Sequence, residues 1–111
     1  MKNRFALLLS MLLCGALVAL AAPADGTWNA ANPSQGAPLV LVLQVNGAAL
    51  TGSADGAVIS GGKAASANIW FNVVRGGVTF SCKGTISGNT LTLAETRADG
   101  SGLRNLIFIH N

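Results

Sequence analysis

The residues able to do chemistry in this chain are few and scattered. His110 is the single histidine and precedes the last residue, Cys14 and Cys82 are the two cysteines, and the acids are Asp25, Asp55, Glu95 and Asp99. A nucleophile needs a base within hydrogen-bond reach, and no serine, threonine or cysteine can be placed beside His110 from the sequence. Glu95 and Asp99 lie close together near a turn, where structural or solvated roles outweigh paired acid–base work. One histidine and one cysteine separated by most of two hairpins match no metal-ligand spacing. No glycine loop opens a helix that could cradle a phosphate. The expectation is a protein that is not an enzyme and uses no cofactor and no metal.

Glu95 and Arg104 form the polar pair with most to offer. Asp99-Gly100 reads as a hairpin turn, which sets Glu95 opposite Arg104 on the inward side, near one mouth of whatever the strands enclose. The plain reading is a cross-strand ion pair closing the end of the core. The sharper reading has Arg104 holding the polar head of an apolar ligand, with Glu95 beside it and Phe71 and Leu43 along the ligand's path.

Strands must position these residues. Around Gly76-Gly77, a two-residue turn sets Arg75 against Val78, Val73 against Phe80, Phe71 against Cys82 and Ile69 against Gly84, with one apolar face throughout. Leu39 to Val45 alternates cleanly, with Leu39, Leu41, Leu43 and Val45 inward. Turns are expected at Asn46-Gly47, Asp55-Gly56, Ser87-Gly88 and Asp99-Gly100. Between Gly62 and Asn68 the faces disagree, since a turn at Ala65-Ser66 would put Ile59 and Ile69 on opposite sides; an odd loop or a bulge repairs this. No stretch after the N-terminal segment shows a helical period. The fold class is all-β: eight antiparallel strands in an up-and-down meander, curling into a closed or nearly closed barrel, with a two-sheet sandwich as the alternative. Inward positions pair bulky residues such as Leu41, Leu50, Leu91 and Phe108 with small ones such as Gly52, Ala54, Gly61 and Gly84, which suits a filled interior.

Half of the 111 residues are hydrophobic and a tenth are charged, but the apolar residues are concentrated at the start. Lys2 and Arg4 precede an apolar run from Phe5 to Leu20, and small residues follow through Ala24, the pattern of a secretory signal peptide. Cleavage after Ala24 is preferred and after Ala21 is the second register, giving a signal at 1–24 and a single domain at 25–111. The run is short of the roughly twenty residues that span a bilayer, so no membrane span is expected after removal, and the lipoprotein reading of Cys14 is the minor one. The address is secreted or periplasmic. Without the signal, Lys63, Arg75, Lys83, Arg97 and Arg104 face four acids, a net charge of +1 that argues for no nucleic-acid partner. Cys82 is then alone, so no intramolecular disulfide forms, and it is expected to be a small buried residue.

Gly26-Thr27-Trp28 at the first strand, with Asn46-Gly47-Ala48-Ala49-Leu50-Thr51-Gly52 in the next hairpin, resembles the opening of the avidin and lipocalin barrels, the calycin group, whose first strand starts with G-x-W. The chain from residue 25 also looks like a group of small exported bacterial proteins of unassigned function, with glycine turns of the Ile59-Ser60-Gly61-Gly62-Lys63 and Gly84-Thr85-Ile86-Ser87-Gly88 kind. The resemblance implies a small barrel that takes an apolar ligand. Two departures accompany it. In lipocalins a basic residue late in the last strand packs on the G-x-W tryptophan, whereas Arg104, the strand's basic group besides His110, falls at the opposite end from Trp28. Biotin binding needs a tyrosine hydroxyl and several tryptophans; this chain has no tyrosine, and Trp28 and Trp70 are its two tryptophans.

The outward face supplies the alternative function. Val40, Val42, Trp70 and Val74 point to solvent and would form one patch if the second and fifth strands approach each other, marking self-association or a protein partner. The favoured function is non-enzymatic binding of a small apolar ligand; the alternative is a protein interaction or structural envelope module.

Overall fold

The computed structural model describes residues 23–111, so the expected signal peptide lies outside the described residues apart from Pro23 and Ala24. Nine strands follow in order: β1 (Gly26–Ala30), β2 (Val40–Asn46), β3 (Ala49–Ala54), β4 (Ala57–Val58), β5 (Ser60–Ala65), β6 (Asn68–Arg75), β7 (Val78–Ser87), β8 (Thr90–Arg97) and β9 (Arg104–His110). Each pairs antiparallel with its sequence neighbour where a hairpin joins them, and β1 lies between β2 and β9. That placement closes the ring. With β4 and β5 as two parts of one side, the architecture is the expected eight-stranded up-and-down barrel with one extra short strand.

Closure explains why the apolar set is continuous. Strand alternation sends Leu41, Leu43, Leu50, Ile69, Phe71, Leu91, Leu93 and Phe108 into one core, and eight strands enclose a space about wide enough for such side chains to fill. Leu39 departs from the expected inward set: β2 begins one residue later and Leu39 sits half exposed in the preceding loop.

Turn chemistry accounts for the registers. Gly76 and Gly77 both have positive φ, as do Asp55 and Gly56, so both hairpins close on the expected pair and keep the expected register, Phe71 opposite Cys82 and Ala54 opposite Ala57. Two other turns sit one residue later than expected. Asn46 and Ser87 stay in their strands, and Gly47-Ala48 and Gly88-Asn89 make the turns with positive φ at the first central residue alone. The partners therefore slide by two, to Val45 opposite Leu50 and Ile86 opposite Leu91. A slide of two preserves every inward and outward assignment, because the side-chain period is two. The last hairpin keeps Glu95 opposite Arg104, but its connection is a wider loop in which Asp99 accepts hydrogen bonds from the Ser101 amide and hydroxyl.

The disputed stretch resolves as a bulge. Ser66-Ala67 make the turn, and the β5–β6 register shifts between Ser60 and Lys63, with Gly61 at φ +60°. The extra residue flips the parity, so Ile59 and Ile69 both point inward and the small inward glycine is Gly62 rather than Gly61. A Cβ on Gly62 would run into the Leu50 carbonyl, and one on Gly52 into the Val42 carbonyl. These two glycines let neighbouring backbones approach where the wall bends.

Gly52→Ala combines that collision with φ +144°, whereas Gly47→Ala has an unsuitable φ but open space around it. Urea unfolding is expected to show a loss of about 1 kcal/mol for Gly47→Ala and roughly 3 kcal/mol or more for Gly52→Ala.

Candidate functional site

The barrel has two different ends. The lower one carries the short turns at 47–48, 66–67 and 88–89 together with the start of β1. Trp28 is fully buried there; its indole N–H donates to the Ala24 carbonyl at 2.9 Å, and the His110 ring meets it edge-on at 4.7 Å between centroids. His110 Nε2–H in turn donates to the Asp25 carbonyl at 2.7 Å, and the Asp25 carboxylate accepts from the Val45 amide. The residue of β9 that packs on Trp28 is thus His110. Arg104 stands at the other end, as its register requires.

The upper end carries the loops 31–39 and 98–103 and the two tight turns. Glu95 points inward from β8 and is buried, 1% exposed, and its two oxygens accept from guanidiniums on opposite sides. Arg104 Nη2 from β9 lies 2.7 Å from Oε1, while Arg75 Nη1 and Nη2 from β6 lie 2.8 Å from Oε2 and 3.2 Å from Oε1. Arg75 reaches across β7 with its guanidinium 4.1 Å from the centre of the Phe80 ring, a cation–π contact. Arg104 also donates from Nη1 to the Gln35 carbonyl at 2.9 Å, tying the first loop to the last strand. Burial alone pushes the Glu95 carboxyl up, yet the hydrogen bonds from Arg75 and Arg104 and their positive charge hold it below the ordinary carboxylate value.

The same charge cluster acts on Cys82, which pairs with Glu95 across β7 and β8 and is buried. Burial, and then the Glu95 charge, push its thiol up to about 12, against a lesser opposing pull from Arg75. The thiol stays protonated at neutral pH and is a small core residue, as expected from the sequence.

Above this triad lies a recess of about 450 Å³ bordered by Gln35, Gly36, Phe80, Arg97, Leu103 and Arg104. Two guanidiniums and no carboxylate line it, with Glu95 behind Arg104. Gly102 makes room for Arg97, since a Cβ there would stand 2.7 Å from Nη1.

Of the residues singled out from the sequence, Glu95 and Arg104 are joined as expected, and Phe71 and Leu43 face inward but belong to the packed core. Val40 and Val42 on β2 are separated from Trp70 and Val74 on β6 by β3 and β5, so these four residues make two patches and not one. Sequence reasoning missed Arg75 as the second partner of Glu95. Its inward parity in β6 was readable, but strand tilt sets which residues of non-adjacent strands share a level. Arg97 was missed as well, because its place beside the recess depends on the path of the loop that follows β8.

Among the described residues, no three His, Cys, Asp or Glu side chains converge where a metal could bind, and no helix is long and apolar enough to cross a membrane. No family model matches the chain, and no curated protein or solved structure matches it significantly.

Glu95→Gln removes the charge that satisfies both guanidiniums. Breaking a buried ionic cluster costs about 3–5 kcal/mol; with Arg75 and Arg104 partly solvated, a loss of about 2–3 kcal/mol is expected in chemical unfolding at pH 7. The folded-state carboxyl is lowered, so its stabilisation is complete above the ordinary value of about 4.3 and drains away as pH falls through the folded value. The variant should therefore lose less stability than the parent between pH 5 and the acid limit, read by thermal unfolding across that range.

Proposed function

We propose that this is a non-enzymatic exported binding protein that takes a small ligand with an apolar body and an acidic head at the upper mouth of its barrel. The observation that carries this reading is the recess of about 450 Å³ over Phe80 and Leu103, whose cationic groups are Arg97 and Arg104. Arg104 is already held by Glu95 and the Gln35 carbonyl, so it is oriented before a ligand arrives. Arg97 is the exposed partner able to close on a carboxylate. Leu43 and Phe71, packed in the core beneath, give this reading a ligand seated at the mouth and not along the barrel axis.

A calycin-type barrel is part of the same proposal. Gly26-Thr27-Trp28 opens β1, and His110, late in the last strand, packs edge-on against Trp28, which supplies the contact that Arg104 could not. Export is proposed from the N-terminal pattern, with cleavage after Ala21 rather than Ala24. Ala24 is buried and its carbonyl accepts the Trp28 indole N–H, so a cut after Ala24 would strip a fully buried donor of its partner.

A second reading, self-association, rests on a different observation. The outer wall from β9 across β1 and β2 to β4 bears Ile107, Ile109, Val42 and Val58, all exposed, with no charged side chain among the outward residues of these strands. An assembly buried on that wall would dissociate on Val42→Lys.

Native mass spectrometry of the protein purified gently from its own host tests the first reading. The expected spectrum shows a monomer starting at Ala22 that carries a small acidic molecule, lost in Arg97→Gln. A bare protein throughout, or a ligand retained equally in Arg97→Gln, would contradict it.

A further inference from the structure

The wall opposite the apolar one has its own composition. Lys63 on β5, Trp70 on β6 and Lys83 on β7 are consecutive cross-strand partners, and all three side chains face outward. Neighbouring strands lie about 4.8 Å apart, so Lys63 and Lys83 flank Trp70 from either side, their backbones roughly 10 Å from each other. Trp70 is 37% exposed, an unusual position for the largest side chain.

Two recesses meet at this tryptophan. One, of about 460 Å³, opens beside Gly61, Lys63, Asn72 and Ser81; the other, of about 340 Å³, runs past Lys83, Asn68, Thr85, Thr92 and Asn105. The first is a product of the β5 bulge. Gly61 takes positive φ where the register breaks, and even a Cβ there would come within 3.3 Å of the Asn72 amide nitrogen. The bulge therefore shapes the wall next to the tryptophan as well as flipping the inner parity.

All four acidic side chains are accounted for elsewhere. Asp25 is at the lower end, Asp55 caps the start of β2 from its turn, Glu95 is inside, and Asp99 is in the β8–β9 loop. The wall is thus uniformly cationic or neutral. It offers a flat aromatic surface, a lysine on the strand to either side of it, and amides and hydroxyls around them.

We infer that the Lys63–Trp70–Lys83 wall is a binding site for an acidic polysaccharide, a chain of sugars bearing carboxylates. The apolar face of one sugar ring stacks on Trp70, flanking carboxylates pair with Lys63 and Lys83, and Asn68, Asn72 and Thr85 hydrogen-bond the hydroxyls. Two lysines are too few to neutralise a run of phosphates, which favours a polymer of lower charge density over a nucleic acid. The site is separate from the barrel mouth and does not depend on the ligand proposed there.

Tryptophan fluorescence reads the site directly, because Trp28 is buried and Trp70 is not. Oligogalacturonate, a neutral glucan of similar length and a single-stranded oligodeoxynucleotide are titrated into the protein, the variants Trp70→Ala and Lys63→Ala/Lys83→Ala, and Arg97→Gln as a mouth control. Binding to the variants is followed by calorimetry. The expected result is binding of oligogalacturonate that weakens with added salt, is unchanged in Arg97→Gln, and is about tenfold weaker in the two wall variants, with little binding of the neutral glucan. Circular dichroism of the wall variants establishes that they fold. No binding of oligogalacturonate, equal binding by the folded wall variants, or tighter binding of the oligonucleotide would overturn the inference.

Discussion

A carboxylate placed inside a small barrel constrains everything around it. Glu95 is buried among apolar neighbours, and a charge in that position persists when it is paired and hydrogen-bonded. One guanidinium, from Arg104, comes from the neighbouring strand; the second, from Arg75, has to cross β7 to reach it. The ring of Phe80 supports that crossing, and the Gln35 carbonyl fixes the far side of Arg104. Loop 31–39, β6, β8 and β9 are therefore held together by a single carboxylate. The cluster of two guanidiniums and one carboxylate leaves one positive charge in excess at the upper end.

The lower end answers a different requirement with a similar economy. Burying an indole requires a partner for its N–H, and the Ala24 carbonyl supplies it. His110 then covers the ring and bonds back to Asp25. Residues just before β1 are consequently part of the barrel's floor. The two ends differ in chemistry: one is sealed by an aromatic plug hydrogen-bonded to the backbone, the other by an ionic cluster with a recess above it.

Much of this architecture was legible because inward and outward parity survives small errors. The turns after β2 and β7 were each placed one residue early, yet the resulting two-residue slide left Leu43 and Leu91 facing the core. The Glu95–Arg104 pair was read correctly because it depends on one hairpin register. Arg75 was not seen as its third member, since that contact joins strands that are not neighbours and depends on tilt. The bulge was anticipated from conflicting faces, but its position at Gly61 was not. Glycine occurs at both 61 and 62, and composition alone does not say which one takes positive φ. The supposed single outer patch failed for a related reason: strand alternation marks a residue as outward-facing, while the number of intervening strands decides whether two such residues meet.

The ionisation state of Glu95 tests the ionic triad most directly. Carbon-detected NMR of selectively labelled glutamate, a single site in the chain, would follow the carboxyl through acid pH. The expected midpoint lies below the ordinary value of about 4.3, with Arg75 and Arg104 guanidinium signals shifting at the same midpoint. A midpoint at or above the ordinary value, or guanidinium signals indifferent to it, would contradict the ionic triad on which the upper end of the barrel is built.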